Sequence, residues 1–102
     1  MSSPTWTFLS NHTHVLVCIA RDPAVTMREI ADQTGITERA VQRIVRDLED
    51  GGYLVRHRRG RRNVYALRPG LPLRHPLERQ TDVQSLLEVL EASPASVEDA
   101  AT

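Results

Sequence analysis

Arg39, Gln42, Arg43 and Arg46 recur at the three- and four-residue spacing of a single helix face. An arginine guanidinium is a planar fork of donors that fits guanine O6 and N7, or a phosphate, while a glutamine amide fits adenine N6 and N7. Four more arginines, Arg58, Arg59, Arg61 and Arg62, bracket Gly60. Just ahead of the first cluster, Thr37 stands at a helix start, where its hydroxyl and the first free amides can hold a phosphate. Glu38 is the awkward neighbour: it can accept from cytosine N4 or repel wrong sites. These residue types at these spacings suit a polymer that carries both phosphates and readable base edges.

The overall charge conceals this arrangement. All 13 basic residues are arginine and balance 13 acids to a net charge of zero. Residues 39–79, however, hold eleven arginines against Asp47, Glu49, Asp50 and Glu78, a local charge of +7. Before them, Arg21 and Arg28 face Asp22, Glu29, Asp32 and Glu38, giving −2, and residues 80–102 carry five acids and no base. A basic centre between acidic ends points to a local anionic partner.

Elements able to position the two clusters can be read from caps and periodicity. Residues 1–9 form a lead-in containing the apolar cluster Trp6, Phe8 and Leu9. A first helix is expected from Ser10 or Asn11 to about Arg21, stopped by Asp22-Pro23. Its centre, Val15–Ala20, is apolar all round and must be covered on more than one side. Thr26-Met27-Arg28-Glu29 reads as a capping box for a second helix to about Thr34, closed by Gly35. Thr37 caps a third helix, Glu38 to about Asp50, with Val41, Ile44, Val45 and Leu48 on its inner side and the first arginine cluster outside.

After Gly51-Gly52 the period changes. Tyr53–Val55 and Asn63–Leu67 favour strands, and residues 56–62 between them are expected to be a hairpin loop around Gly60. Residues 69–75 form a connector. His75-Pro76 is expected to start a last helix over 76–92, with Val83, Leu86, Leu87 and Leu90 as its apolar stripe, and 93–102 an acidic tail. Tyr53, Tyr65 and Trp6 are expected in the core. Arg43–Asp47 and Arg46–Asp50 are expected as i, i+4 pairs, worth about 0.2–0.5 kcal/mol each.

Residues 27–67 carry a family resemblance. The segments Arg28-Glu29-Ile30-Ala31, Gly35-Ile36-Thr37, Val41 through Glu49, Gly52-Tyr53-Leu54-Val55 and Gly60 through Tyr65 resemble the MarR-like winged helix-turn-helix regulators of prokaryotes. The resemblance extends over residues 10–67. It implies a mostly helical α+β fold, a three-helix core plus β-hairpin wing over residues 10–68, and a dimeric regulator of transcription that binds double-stranded DNA. In that reading the helix over 38–50 enters the major groove and residues 56–62 meet the minor groove or backbone. Full-length members carry longer terminal helices that build the dimer and often a small-molecule pocket. In this chain the N-terminal cluster and the stripe Val83, Leu86, Leu87 and Leu90 are the segments left for subunit contact, with packing of the stripe on the chain's own first helix as the alternative. Repression by blocking polymerase is the expected mode.

The remaining chemistry is sparse. A single cysteine, no apolar run of membrane-spanning length and no basic, apolar leader agree with a cytoplasmic, nucleoid-associated setting. There is no Gly-rich phosphate loop, no nucleophile–histidine motif and no zinc signature, so no enzymatic activity and no cofactor are expected. His14 and Cys18, four apart, can share a metal only if His12 or His75 completes the site, and no metal site is expected. Two other readings stay open: a winged helix that docks proteins, and a sensor gated by a ligand or metal.

Overall fold

A computed structural model describes residues 4–91 of the chain. The order of elements is α1 (Asn11–Arg21), α2 (Met27–Thr34), α3 (Glu38–Asp50), β1 (Leu54–Arg59), β2 (Arg62–Leu67) and α4 (Val83–Val89). It is a three-helix core, a two-stranded antiparallel hairpin and a short fourth helix.

Local chemistry fixes the helix ends. The capping box forms: Thr26 Oγ1 accepts from the Glu29 amide at 3.1 Å, and the Glu29 carboxylate accepts from the Thr26 amide at 2.9 Å. Hydrogen bonding from the Thr26 backbone therefore holds the Glu29 carboxyl below its usual range, and the nearby Arg62 adds a smaller push in the same direction. Gly35 closes α2 at φ +78°, a left-handed conformation that glycine adopts without a Cβ clash. Thr37 caps α3 by accepting from the Ala40 amide at 3.0 Å.

The sequence periodicity becomes one core. Val15 and Ile19 of α1, Ile30 of α2 and Val41 of α3 are fully enclosed, and Ala31, Ile44, Val45 and Leu48 close around them. Burying four such side chains stabilises the helical half by about 1.5–3 kcal/mol each, before entropy is counted. Leu54, Tyr53 and Tyr65 seal the base of the hairpin onto this core, and the Tyr53 hydroxyl donates to the Pro72 carbonyl at 2.6 Å.

The chain after the hairpin departs from expectation. No helix runs from 76 to 92: residues 75–81 are turns, and helical structure begins only after Asp82, whose carboxylate accepts from the Ser85 amide at 2.8 Å. The reason is backbone competition. The Leu73 amide donates to Thr81 and the Val83 amide to Leu71, and Pro72 bridges Asp82, so an extended strap claims residues that a longer helix would need. This strap holds α4 against the body. Val83 and Leu87 are 1% and 0% exposed in the chain's own core, so this half of the stripe packs within the subunit rather than facing another. Leu86 and Leu90 remain half-buried at the surface.

Trp6 is a second departure. It is 67% exposed and stacks edge-on against Phe8, itself 92% exposed, rather than entering the core with Tyr53 and Tyr65. The core is filled by residues 15–87, and the lead-in lies over its outside. The 93–102 tail lies outside the described residues.

Candidate nucleic-acid interface

Helix α3 has two opposed sides. Val41, Ile44, Val45 and Leu48 are buried, while Arg39, Gln42, Arg43 and Arg46 are exposed. At 100° per residue these four outer side chains fall within about 100° of arc. With Thr37 and Ala40 they line a shallow hollow at the N-terminal half of the helix. Thr37 keeps its hydroxyl hydrogen free while its oxygen caps the helix, so it retains a donor for a phosphate. Glu38 is exposed at the edge of this surface.

The arginines of this face stand without acid partners. Among the described residues the one ion pair between arginine and a carboxylate is Arg56–Glu49 at 3.4 Å, and Asp47 is hydrogen-bonded to His12 at 3.0 Å. Neither expected intrahelical pair forms. Asp47 turns instead to His12 in the first turn of α1, leaving Arg43 unpaired. A guanidinium with no partner to surrender meets a phosphate at lower cost than one drawn from a salt bridge.

The hairpin differs from its sequence reading in length. Strands run through residues 56–59, which were expected as loop, so the turn is only Gly60-Arg61. Gly60 takes φ +64° at the first central position, the place a two-residue II′ turn reserves for glycine. The register pairs Arg59 with Arg62, Arg58 with Asn63, His57 with Val64 and Arg56 with Tyr65. Strand alternation then sorts the arginines. Arg58 shares the core-side face with Leu54, Arg56 and Tyr65; Arg59 and Arg62 share the outer face, and Arg61 occupies the tip. Two like charges directly opposite each other destabilise a bare ribbon, a cost that an anion between them removes.

The wing and α3 adjoin. Glu49 lies seven residues beyond Gln42, along the same row of α3, and holds Arg56 at the base of β1. The hairpin root therefore flanks the Gln42 edge of the arginine face. The remaining root contacts are Tyr53 N to Leu48 O at 2.8 Å, Arg68 N to Tyr53 O at 2.9 Å and Tyr65 N to Pro23 O at 3.2 Å. Sequence reasoning missed Glu49 and Arg56 because Arg56 was expected in a loop. The alternation Leu54, Arg56 against Tyr65, Leu67 is the signal that could have revealed the longer strands.

The isolated histidines and cysteine do not converge. His14 bonds Asn11 at 3.1 Å, and the Cys18 thiol donates to Gln33 Oε1 at 3.3 Å. Burial pushes the Cys18 thiol up, with Arg21 pulling weakly the other way. Among the described residues no three His, Cys, Asp or Glu side chains gather in a way that could hold a metal ion. No described helix is long and apolar enough to cross a membrane.

This arrangement, a basic helix face beside an arginine-rich hairpin, is that of a winged helix-turn-helix, and comparison with known proteins agrees. The model of the MarR family matches residues 7–62, more than half of the chain, so the protein belongs to the MarR family of winged helix-turn-helix transcription regulators. Among solved structures, it is similar to MepR, a transcription regulator of the Staphylococcus aureus multidrug efflux pump MepA. That match has 19% identity and a TM-score of 0.53, and covers 90% of this chain and 69% of MepR. It is also similar to the zinc-dependent MarR family transcriptional regulator AdcR in its Zn(II)-bound state. There the identity is 18% and the TM-score 0.47, covering 67% of this chain and 49% of AdcR. The chain thus spans about half the length of AdcR and about two thirds of MepR. No curated protein sequence matches it.

Proposed function

We propose that the protein binds double-stranded DNA sequence-specifically, with α3 in the major groove and the wing on the adjacent minor groove or backbone. The observation that carries this reading is the unpaired arginine face of α3, rigidly backed by the core and flanked by the hairpin root. Arg39 and Gln42, in the first turns, read base edges; Arg43 and Arg46 reach bases or phosphates, and Thr37 anchors one phosphate while Glu38 filters sites. Arg58, Arg59, Arg61 and Arg62 grip the backbone or enter a narrow minor groove. The test is duplex affinity as a function of salt. Six phosphate contacts give a slope of log K on log salt of about −5, and a slope near zero would move the reading to protein docking.

Two copies act together in this proposal, because a specific operator offers two half-sites about one helical turn apart. Support comes from the surface: Trp6, Phe8 and Val89 are exposed, and the N-terminal segment shares its surface hollows with Leu86 of α4 and with Leu90 just after it. Leu86→Asp is expected to halve the sedimenting mass; an unchanged mass in a wild type that is dimeric would move the contact elsewhere. Bound across a promoter, the dimer represses by excluding polymerase.

A second reading adds a gate to the first. A hollow of about 590 Å³ lies between the lead-in, α1, the end of α3 and the strap, with Phe8, Leu16 and Tyr53 as apolar walls and His12, Asp47 and Arg74 at its rim. Asp47 belongs to α3, so an amphipathic small molecule there would act on the reading helix. Thermal shifts across a panel of aromatic acids and amines test it.

A further inference from the structure

The wing is a lever, and its reach makes its root decisive. From Arg56 to the Gly60 turn the ribbon extends about 14 Å, at about 3.4 Å per residue. Residues 57–63 are exposed, Val64 is half-buried and Leu54 and Tyr65 are buried, so the Arg56–Tyr65 rung is the outermost one that carries a fully buried side chain. A rotation of about 10° there swings the tip by about 2.5 Å over that length, enough to lose a hydrogen bond to a phosphate. The link between α3 and β1 is Gly51-Gly52-Tyr53, in which Gly52 takes φ +85° and the Tyr53 amide donates to the Leu48 carbonyl at 2.8 Å, so it anchors the start of β1 rather than the rungs beyond Val55. At this fulcrum Glu49, in the last turn of α3, holds Arg56 Nε at 3.4 Å, with the Glu49 side chain only 25% exposed. The buried Tyr65 ring lies opposite Arg56 across the ribbon.

Glu49 is also a negative charge on an element proposed to meet a polyanion. Electrostatics alone would favour its removal, and the pairing gives it a different task. We propose that Glu49 and Arg56 are a positioning clamp that fixes the angle of the wing relative to α3, so that one rigid unit addresses two grooves. Neither residue need touch DNA. The inference deepens the DNA-binding reading above and rests on it for its consequence, but the clamp itself can be observed without DNA.

The test has a DNA-free arm and a DNA arm. In the free protein, residual dipolar couplings of the residue 57–63 amides fit the same alignment frame as α3 in the wild type and depart from it in Glu49→Gln. If the hairpin keeps its frame in Glu49→Gln, the clamp is refuted, whatever DNA does. On a selected operator, Glu49→Gln weakens specific binding about two- to fivefold, the range an exposed ion pair can supply. Backbone protection at the wing's contact is lost, and protection under α3 is kept. Tighter or unchanged binding with intact wing protection overturns the proposal, because that is the result of simply deleting an acid near phosphates. The swapped pair Glu49→Arg with Arg56→Glu, which keeps the wild-type net charge, restores both the frame and the protection that Arg56→Glu alone abolishes; absence of rescue also overturns it. A wild type that binds no duplex would defeat the DNA reading while the coupling measurement still decides the clamp.

Discussion

Helix α3 carries three arginines and the hairpin five, on opposite kinds of support. Every outer residue of α3 has buried neighbours behind it, Val41, Ile44, Val45 and Leu48, so its side chains project from a fixed rod. The wing arginines project from two strands whose far halves are exposed, tied to the body by Leu54, Tyr65, the Glu49–Arg56 pair and a few root bonds. A fixed rod can hold bidentate geometry against base edges, whereas a ribbon with a free end delivers charge more than precision. In the proposed DNA-binding reading, base reading and backbone gripping therefore divide between the two elements for mechanical reasons, not because the residues differ.

The sharpest attack on that contrast removes the backing. Leu48→Ala leaves a cavity behind α3 and is expected to cost about 2–5 kcal/mol of stability in thermal or denaturant unfolding. Replacing both Arg61 and Arg62 by alanine is expected to leave the melting temperature within the range of ordinary surface changes, below about 0.5 kcal/mol. Comparable losses in the two variants would abolish the distinction between rod and ribbon.

The next test separates reading from gripping. Arg39→Ala is expected to relax the preference at one base pair, at a cost of about 1–3 kcal/mol on the selected site and little on others. The Arg61/Arg62 double variant is expected to weaken all duplexes alike and to flatten the salt slope by about 2. If both variants show the same profile, the division of labour is wrong.

Smaller effects probe the scaffold on the α2 side. Thr26→Ala removes the capping hydroxyl and is expected to cost about 1 kcal/mol, with DNA preference unchanged. The pH dependence has a definite sign. The Glu29 carboxyl is held low in the folded chain by the Thr26 backbone bond, so its stabilisation is present above the ordinary glutamate range and is lost as pH falls through the folded value. Glu29→Gln should therefore flatten the acid limb of the stability profile, and an unaltered limb would assign that limb to other carboxylates, such as the similarly capped Asp82.

Much of this was legible from local rules. The capping box at Thr26–Glu29, the left-handed Gly35 and the Thr37 cap each involve atoms within three or four residues, so the sequence alone places all three helices and the exposed face of α3. Expectations failed wherever distant groups competed. His12, 35 positions away, took Asp47 from Arg43; the pairing of Leu71–Leu73 with Thr81–Val83 displaced the first turns of the expected last helix; and the core filled without Trp6. The wing's length was hidden because residues 56–59 are Arg-His-Arg-Arg with no apolar alternation of their own, so that the register of Leu54 and Arg56 against Tyr65 and Leu67 was the one faint hint of a longer strand.

The sequence by itself determined the caps, the glycine stops, the inner stripe of α3 and where positive charge concentrates, since each depends on spacing along one backbone. Only the tertiary structure decided which arginines are left unpaired, which face of the ribbon each occupies, and that Glu49 meets Arg56 at the wing's root. Pairing between charges depends on distances across elements, and those are set by how the core packs.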